Sequence, residues 1–165
     1  KVAGLFSRRC FNIDSLTVGE TDDPTVSCMT IVSTGTERTI EQIEKEFGSK
    51  VAHYVSAHTE DKTKTWEERK QHTLELVKEA PLEVKALIVA DKWDNLKSMS
   101  AGHELLGNEI WNCFKRGLDS QEWYIRGVAM NSFYGLDDKE IPEFFHQYVK
   151  DVNSFFDSIK NRNNK

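Results

Sequence analysis

The apolar pattern of this chain changes its period once, near Thr39, and that change limits the fold more than any other feature. Before it, "FNIDSLTVG" (11–19) alternates, "ETDDP" is turn-like, and "TVSCMTIVST" (25–34) is rich in β-branched residues. Alternation puts successive side chains on opposite faces of a strand, and β-branched residues fit a pleated surface. Two such runs around an Asp-Asp-Pro loop predict an antiparallel hairpin. Ahead of them, "KVAGLFSRR" spaces Val2, Leu5 and Phe6 as a helix does, with basic residues at its end.

After Thr39 every strong pattern is helical. Thr39 caps "IEQIEKEFG", where Ile40, Ile43 and Phe47 form a stripe and Gly48 is a stop. "SKVAHYVSAH" continues with Val51, Tyr54 and Val55, and "HTEDKTKT" is a polar loop. Thr65 with Glu68 three residues on is a capping box for a helix whose apolar side is Trp66, Leu74 and Val77. Pro81 suits the first turn of the next helix. Two more helices are expected over 103–116 and 119–134. A last one starts near Pro142 and carries Phe144, Phe145, Tyr148, Val149, Val152, Phe155 and Phe156. The expected fold is mainly α: a helical bundle over 39–160, preceded over 1–38 by a partial α+β unit of one helix and a hairpin. A disordered polar tail is expected over 161–165. The hairpin would have two open edges, which invite pairing with a second copy.

Composition narrows the function classes. At 165 residues with a formal charge of −5, the chain has no electrostatic footprint for nucleic acid. No apolar run approaches the roughly 20 residues of a membrane-spanning helix, so a cytoplasmic protein with no membrane partner is expected. Cys10, Cys28 and Cys113 are odd in number and lack CxxC spacing, which reads as reduced thiols rather than a zinc site. The chain opens without an initiator Met, as if in the middle of an element, which predicts a missing N-terminal part.

The helix from Pro81 poses the functional question. Val84, Leu87, Ile88, Asp91 and Asn95 recur at three- and four-residue spacing, so they share a face, and Leu96 and Met99 continue the apolar side. A buried, unpaired carboxylate there would cost several kcal/mol, on the order of a broken buried ion pair. Asp91 therefore needs an ion-pair partner, exposure at an edge or cleft, or a bound cation. The Glu60–Lys62 triplet reads as charge on a surface loop, with a place along a cleft as the alternative. His53 and His58 stand at i, i+5 and so do not share a ligand face.

The motif "VADKWDNLKSM" resembles the ADKxxN helix of HD-superfamily metal-dependent phosphohydrolases, in particular the small relatives of the RelA/SpoT-type (p)ppGpp hydrolases. "TIEQIEKEFGSKVAHYV", "TEDKTKTWEERKQHT", "APLEVKALIVADK" and "RGLDSQEWYIRGV" follow that family in the same order, over about residues 39–150. The resemblance implies Asp91 as a ligand to a divalent metal, usually manganese. It implies Lys92, Asn95 and Tyr124 as contacts to a nucleotide substrate. The family's other ligands are a histidine and an adjacent His-Asp pair, expected before Thr39. The chain has no His-Asp dipeptide, its histidines are His53, His58, His72, His103 and His146, and Asp94 stands where the family commonly has His. A catalytic metal needs three or more ligands, so an impaired phosphohydrolase is the expectation.

Residues 1–46 are similar to something else. The motif "LFSRRxFNIxSLTVG…DDP…MTIV" resembles the ACT domain of the regulatory small subunit of acetolactate synthase. The resemblance implies a βαββαβ unit that pairs with a second copy to bind an amino acid, valine, with Asn12 as an effector contact. The first strand of that unit is absent, and Cys10 stands where the family has Gly. The two resemblances overlap in "ERTIEQIEKEFG", so the chain reads as two partial domains joined at a shared helical phrase. The alternative function is accordingly an amino-acid-binding regulatory subunit of acetolactate synthase, or a non-functional hybrid.

Overall fold

A computed structural model describes the backbone of residues 13–20, 27–33 and 37–163, and the side chains of residues 39–161. The expected first helix and the Asp-Asp-Pro loop lie outside the described residues. The chain is mainly helical and divides into two compact units, residues 1–57 and 58–165. The units part at residue 57, whereas the change of period lies at residue 39.

The first unit holds strands β1 (Ile13–Glu20) and β2 (Ser27–Ser33), which pair antiparallel with Leu16 opposite Ile31 and Val18 opposite Met29. Helices α1 (Glu37–Phe47) and α2 (Ser49–Ala57) follow and pack on each other. Gly48 separates them with φ +87°, and its N–H donates to the Glu44 carbonyl at 2.8 Å. Positive φ is cheap for glycine, so the helix stops where the sequence places its stop. Ile43 and Ala52 are the buried residues here, while Phe47 and Val51 are exposed.

The second unit contains α3 (Trp66–Glu79), α4 (Leu82–Leu106), a 3-10 segment (Gly107–Cys113), α5 (Gly117–Asn131) and α6 (Glu143–Asn163). The capping box at the start of α3 is complete. The Glu68 N–H donates to Thr65 Oγ1 at 3.2 Å, and the Thr65 N–H donates to Glu68 Oε2 at 2.8 Å. The expected helix over 103–116 does not exist as such. α4 runs on through His103 to Leu106, and the chain then tightens into the 3-10 segment. Gly102 lies inside this helix, and its bare backbone leaves the space that the Ile110 side chain fills. α6 begins just after Pro142 and buries Phe145, Tyr148, Val152, Phe156 and Ile159, one face at three- and four-residue spacing. It extends to Asn163, into the expected tail.

The centre of the unit is polar. Lys85, on the core side of α4, is 1% exposed. Its Nζ donates to the carbonyls of Tyr134 at 2.6 Å, Lys78 at 3.0 Å and Asn131 at 3.5 Å. Lys78 is in the last turn of α3, and Asn131 ends α5. Terminal carbonyls have no partner within their helix and carry the negative end of its dipole. One ammonium thus satisfies the ends of two helices. Burial holds the Lys85 pKa below its ordinary value, with Glu79 acting the other way. Asn131 adds a second tie, its Nδ2 donating to the Leu74 carbonyl at 3.1 Å.

Polar ties also fix α6. Trp93 Nε1 donates to Asp151 at 2.8 Å, and its ring stacks on Phe144 at 6.4 Å between centroids. Arg126 reaches Asn153 at 2.6 Å and Asp157 at 2.7 Å, and shares Glu122 with Lys160. Among the described residues no helix is long and apolar enough to cross a membrane.

Replacing Lys85 by methionine keeps the volume but removes the ammonium from the Lys78 and Tyr134 carbonyls, while the Asn131 carbonyl keeps the Tyr134 N–H at 3.2 Å. The expected loss is about 2–4 kcal/mol in urea unfolding, the scale of buried polar groups stripped of their partner. Leu105→Ser, at a position 85% exposed, should stay within about 0.5 kcal/mol. Lys85→Met behaving like the surface variant would refute the bridging role.

Candidate functional site

α4 answers the question its sequence raises. The buried stripe is Val84, Lys85, Ile88, Val89, Leu96, Met99 and His103. It lies about one residue, or 100° of helix, away from the stripe expected through Leu87, Asp91 and Asn95. Leu87 is 44% exposed and the Asp91 side chain 46% exposed; Asn95 is exposed as well. Asp91 is therefore not a buried carboxylate and needs no metal to neutralise it. The residue that turns inward beside it is Lys92, whose side chain is 18% exposed.

Lys92 organises the site. Its ammonium pairs with the Asp91 carboxylate and stands 5.7 Å from the centroid of the Tyr124 ring, which α5 supplies. Lys70 of α3 covers the same ring at 4.9 Å and reaches Trp66 at 6.0 Å. Asn95 Nδ2 lies 3.4 Å from Asp91 Oδ2. Glu60, in the loop before α3, takes both Arg69, at 2.8 Å, and Lys70. Asp91, Lys92, Asn95 and Tyr124 are thus brought together. Asn12 lies outside the described residues.

Three further residues belong to the cluster: Glu60, for which a place along a cleft is the alternative reading of its loop, and Arg69 and Lys70, which the sequence reading does not single out. The signal was present in the "TWEERK" run: the Thr65–Glu68 cap fixes the phase of α3, and with it the direction of the two basic residues. Asp61 and Lys62 of the same loop are exposed, as a surface reading has it.

The electrostatics follow from these contacts. Burial works against charge on Lys92, but Tyr124, Asp91 and Glu60 outweigh it and raise its pKa. Burial raises the Tyr124 pKa, against the pull of Lys92 and Thr73, so the phenol stays neutral near pH 7. Burial would raise the Glu60 pKa, but Lys70, Arg69 and Lys92 hold it below its ordinary value. The cluster sets Arg69, Lys70 and Lys92 against Glu60 and Asp91, which leaves an excess of positive charge beside an aromatic ring. Such a surface can hold an anion.

The same residues do not fit a divalent metal. Asp91 and Glu60 are each occupied by a cation, and no group of three His, Cys, Asp or Glu residues capable of holding a metal occurs among the described residues. His53 is exposed and tilts against Tyr54, ring centroids 6.1 Å apart. Cys113 is a free, exposed thiol.

Comparison with known proteins separates the two ends of the chain. Residues 1–49 match the family model described as the AHAS small subunit-like ACT domain. Over 46 residues the chain is 61% identical to the acetolactate synthase isozyme 3 small subunit of Escherichia coli K12. That match covers 28% of this chain and 28% of the relative. Over 46 residues it is 52% identical to a probable acetolactate synthase small subunit of Methanothermobacter thermautotrophicus, covering 27% of that protein. The chain thus spans under a third of the length of these curated relatives. The 1.85 Å crystal structure of lmo0812 from Listeria monocytogenes EGD-e matches with a TM-score of 0.70 and 49% identity. It covers 73% of this chain and 79% of its own, a share that residues 1–49 cannot supply alone.

The ion pairs predict opposite pH dependences. Glu60 has a folded pKa below 4.5, so its contribution to stability is present above that value and lost as pH falls through the folded pKa. Lys92 has a folded pKa above 10.5, so its contribution is present below that value and lost as pH rises through the folded pKa. Urea midpoints measured against pH should show a shallower acid limb in Glu60→Gln and a shallower alkaline limb in Lys92→Met. Wild-type limbs in both variants would mean that these pairs contribute nothing to stability.

Proposed function

Because the chain belongs to the same family as the Listeria protein and opens with an ACT-type segment of the acetolactate synthase small-subunit kind, we propose that it is a binding and regulatory protein rather than a hydrolase. The observation that carries the reading is the match of residues 1–49. In this reading the first unit takes an amino acid, valine, with Asn12 as a contact. It pairs with a second copy through its hairpin and engages a synthase catalytic subunit. Nothing in it calls for a metal.

One observation favours a second reading, for the second unit. Lys92, Asn95, Asp91 and Tyr124 gather with Lys70 and Arg69 into one cationic, aromatic cluster. Cations over an aromatic ring suit the phosphates and base of a nucleotide such as a guanosine polyphosphate. This would be an HD-type phosphohydrolase site that binds without hydrolysing. Metal activation of a water needs ligands that the cluster does not contain.

Thermal unfolding of the full chain separates the readings, since a ligand stabilises the state it binds, by about 2.7 kcal/mol at a hundred times its dissociation constant. Valine should raise the melting temperature, and Asn12→Ala should remove that rise. Guanosine tetraphosphate should raise it through the second unit, with loss in Lys92→Ala and retention in Asn12→Ala. A chain that responds to neither ligand would be a hybrid of two partial domains with neither function.

A further inference from the structure

A groove of about 690 Å³ opens between α3 and α5, within the usual size range of small-molecule sites. Its apolar wall is a pair of indoles. Trp66 and Trp123 stand with centroids 6.2 Å apart and planes at 53°, so they form an open corner rather than a stack. Trp123 is 43% exposed, a large apolar surface that the core does not use. Around this corner stand Glu67, Glu68, Glu75 and Asp119, with Lys64 nearby and Arg116 paired to Glu67 at 2.8 Å. Glu68 is held as a carboxylate by the Thr65 hydroxyl and N–H, which lower its pKa. Glu75 accepts from the neutral amide of Gln71 at 3.0 Å and has no other partner among the described residues.

These features select a ligand class. Indole faces attract cations through the ring quadrupole, and attract them best among the aromatic side chains. The carboxylates at the mouth repel anions. A purely apolar ligand would gain from the two rings but nothing from the charges around them. We propose that this groove binds a small organic cation, an alkylammonium or quaternary ammonium group seated against Trp66 and Trp123 with Glu75 and Asp119 as counter-charges. The groove shares Trp66 with the Lys70–Lys92 cluster, whose Lys70 ammonium stands 6.0 Å from that ring, while Trp123, Glu75 and Asp119 lie outside the cluster.

The test is calorimetric titration of the full chain with choline and, in parallel, with its neutral isostere 3,3-dimethylbutan-1-ol. Choline should bind saturably, and the neutral isostere at least about tenfold more weakly. Glu75→Gln combined with Asp119→Asn should weaken choline about tenfold. Both side chains are exposed, so the melting temperature should not move. Trp123→Ala should weaken choline by a similar factor and serves as an independent check, since that ring is part-exposed. Absence of saturable choline binding would overturn the proposal. So would equal binding of the isostere, or unchanged affinity in both variants.

Discussion

The Lys85 ammonium is the interaction on which the second unit depends. It sits among buried aliphatic residues and takes carbonyls from the last turn of α3, the last residue of α5 and the turn beyond it. A buried charge is costly unless it is fully hydrogen-bonded, and helix C-termini are costly to bury unless a donor meets them. Lys85 settles both demands at once. An aliphatic residue at that position would strip the donor from the Lys78 and Tyr134 carbonyls, although Asn131 would keep the Tyr134 N–H. The position of α3 and α5 against α4 is therefore specified by polar geometry as well as by the fit of Leu74, Val77, Ile88 and Val128.

The same residue sets the phase of α4, and the phase sets the site. With Lys85 turned inward, the residue two turns on that faces the protein is Lys92 rather than Asp91. Lys92 then lies over Tyr124, and Asp91 and Asn95 are left at the exposed rim. The polarity of the cluster follows: the inward group is a cation, and the carboxylates neutralise it from the outside. That arrangement suits an anion and is unsuited to a divalent ion, whose ligands would have to be freed from their lysine partners first.

Much of this was legible in the sequence. The Thr65–Glu68 cap, Pro81, Gly48 and Pro142 each carry their own local physics, and each marks an element end where expected. The four residues Asp91, Lys92, Asn95 and Tyr124 also meet. Two things were not legible, for one reason. An apolar stripe at three- and four-residue spacing leaves its centre undetermined by about one residue when polar residues flank it. Lysines at 85 and 92 look like solvent-facing residues, so the stripe was centred away from them. The burial of Lys85 depends on carbonyls supplied by residues 78, 131 and 134, which no local pattern announces. The helix expected over 103–116 is similar: α4 runs through Gly102, whose bare backbone leaves room for the Ile110 side chain, a contact no local pattern announces.

The joint between the two kinds of sequence follows from how little an amphipathic helix requires. Residues 39–48 need one stripe and one stop, supplied by Ile43 and Gly48. Neither names the partner against which the stripe is buried. The match to the ACT family ends at residue 49, one residue past Gly48, yet the compact unit continues to Ala57. α2 therefore groups with the first unit by packing, although the family model does not reach it. Its Ala52 is buried, and the helix packs on α1. α1 begins at Glu37, so Thr39 lies inside the helix rather than capping it, and a helical phrase with a generic stripe and a glycine stop can close one domain and open another. For that reason the change of period at residue 39 is not the boundary of a folded unit. The boundary falls in the loop after α2, where "HTEDKTKT" has no apolar stripe to bury.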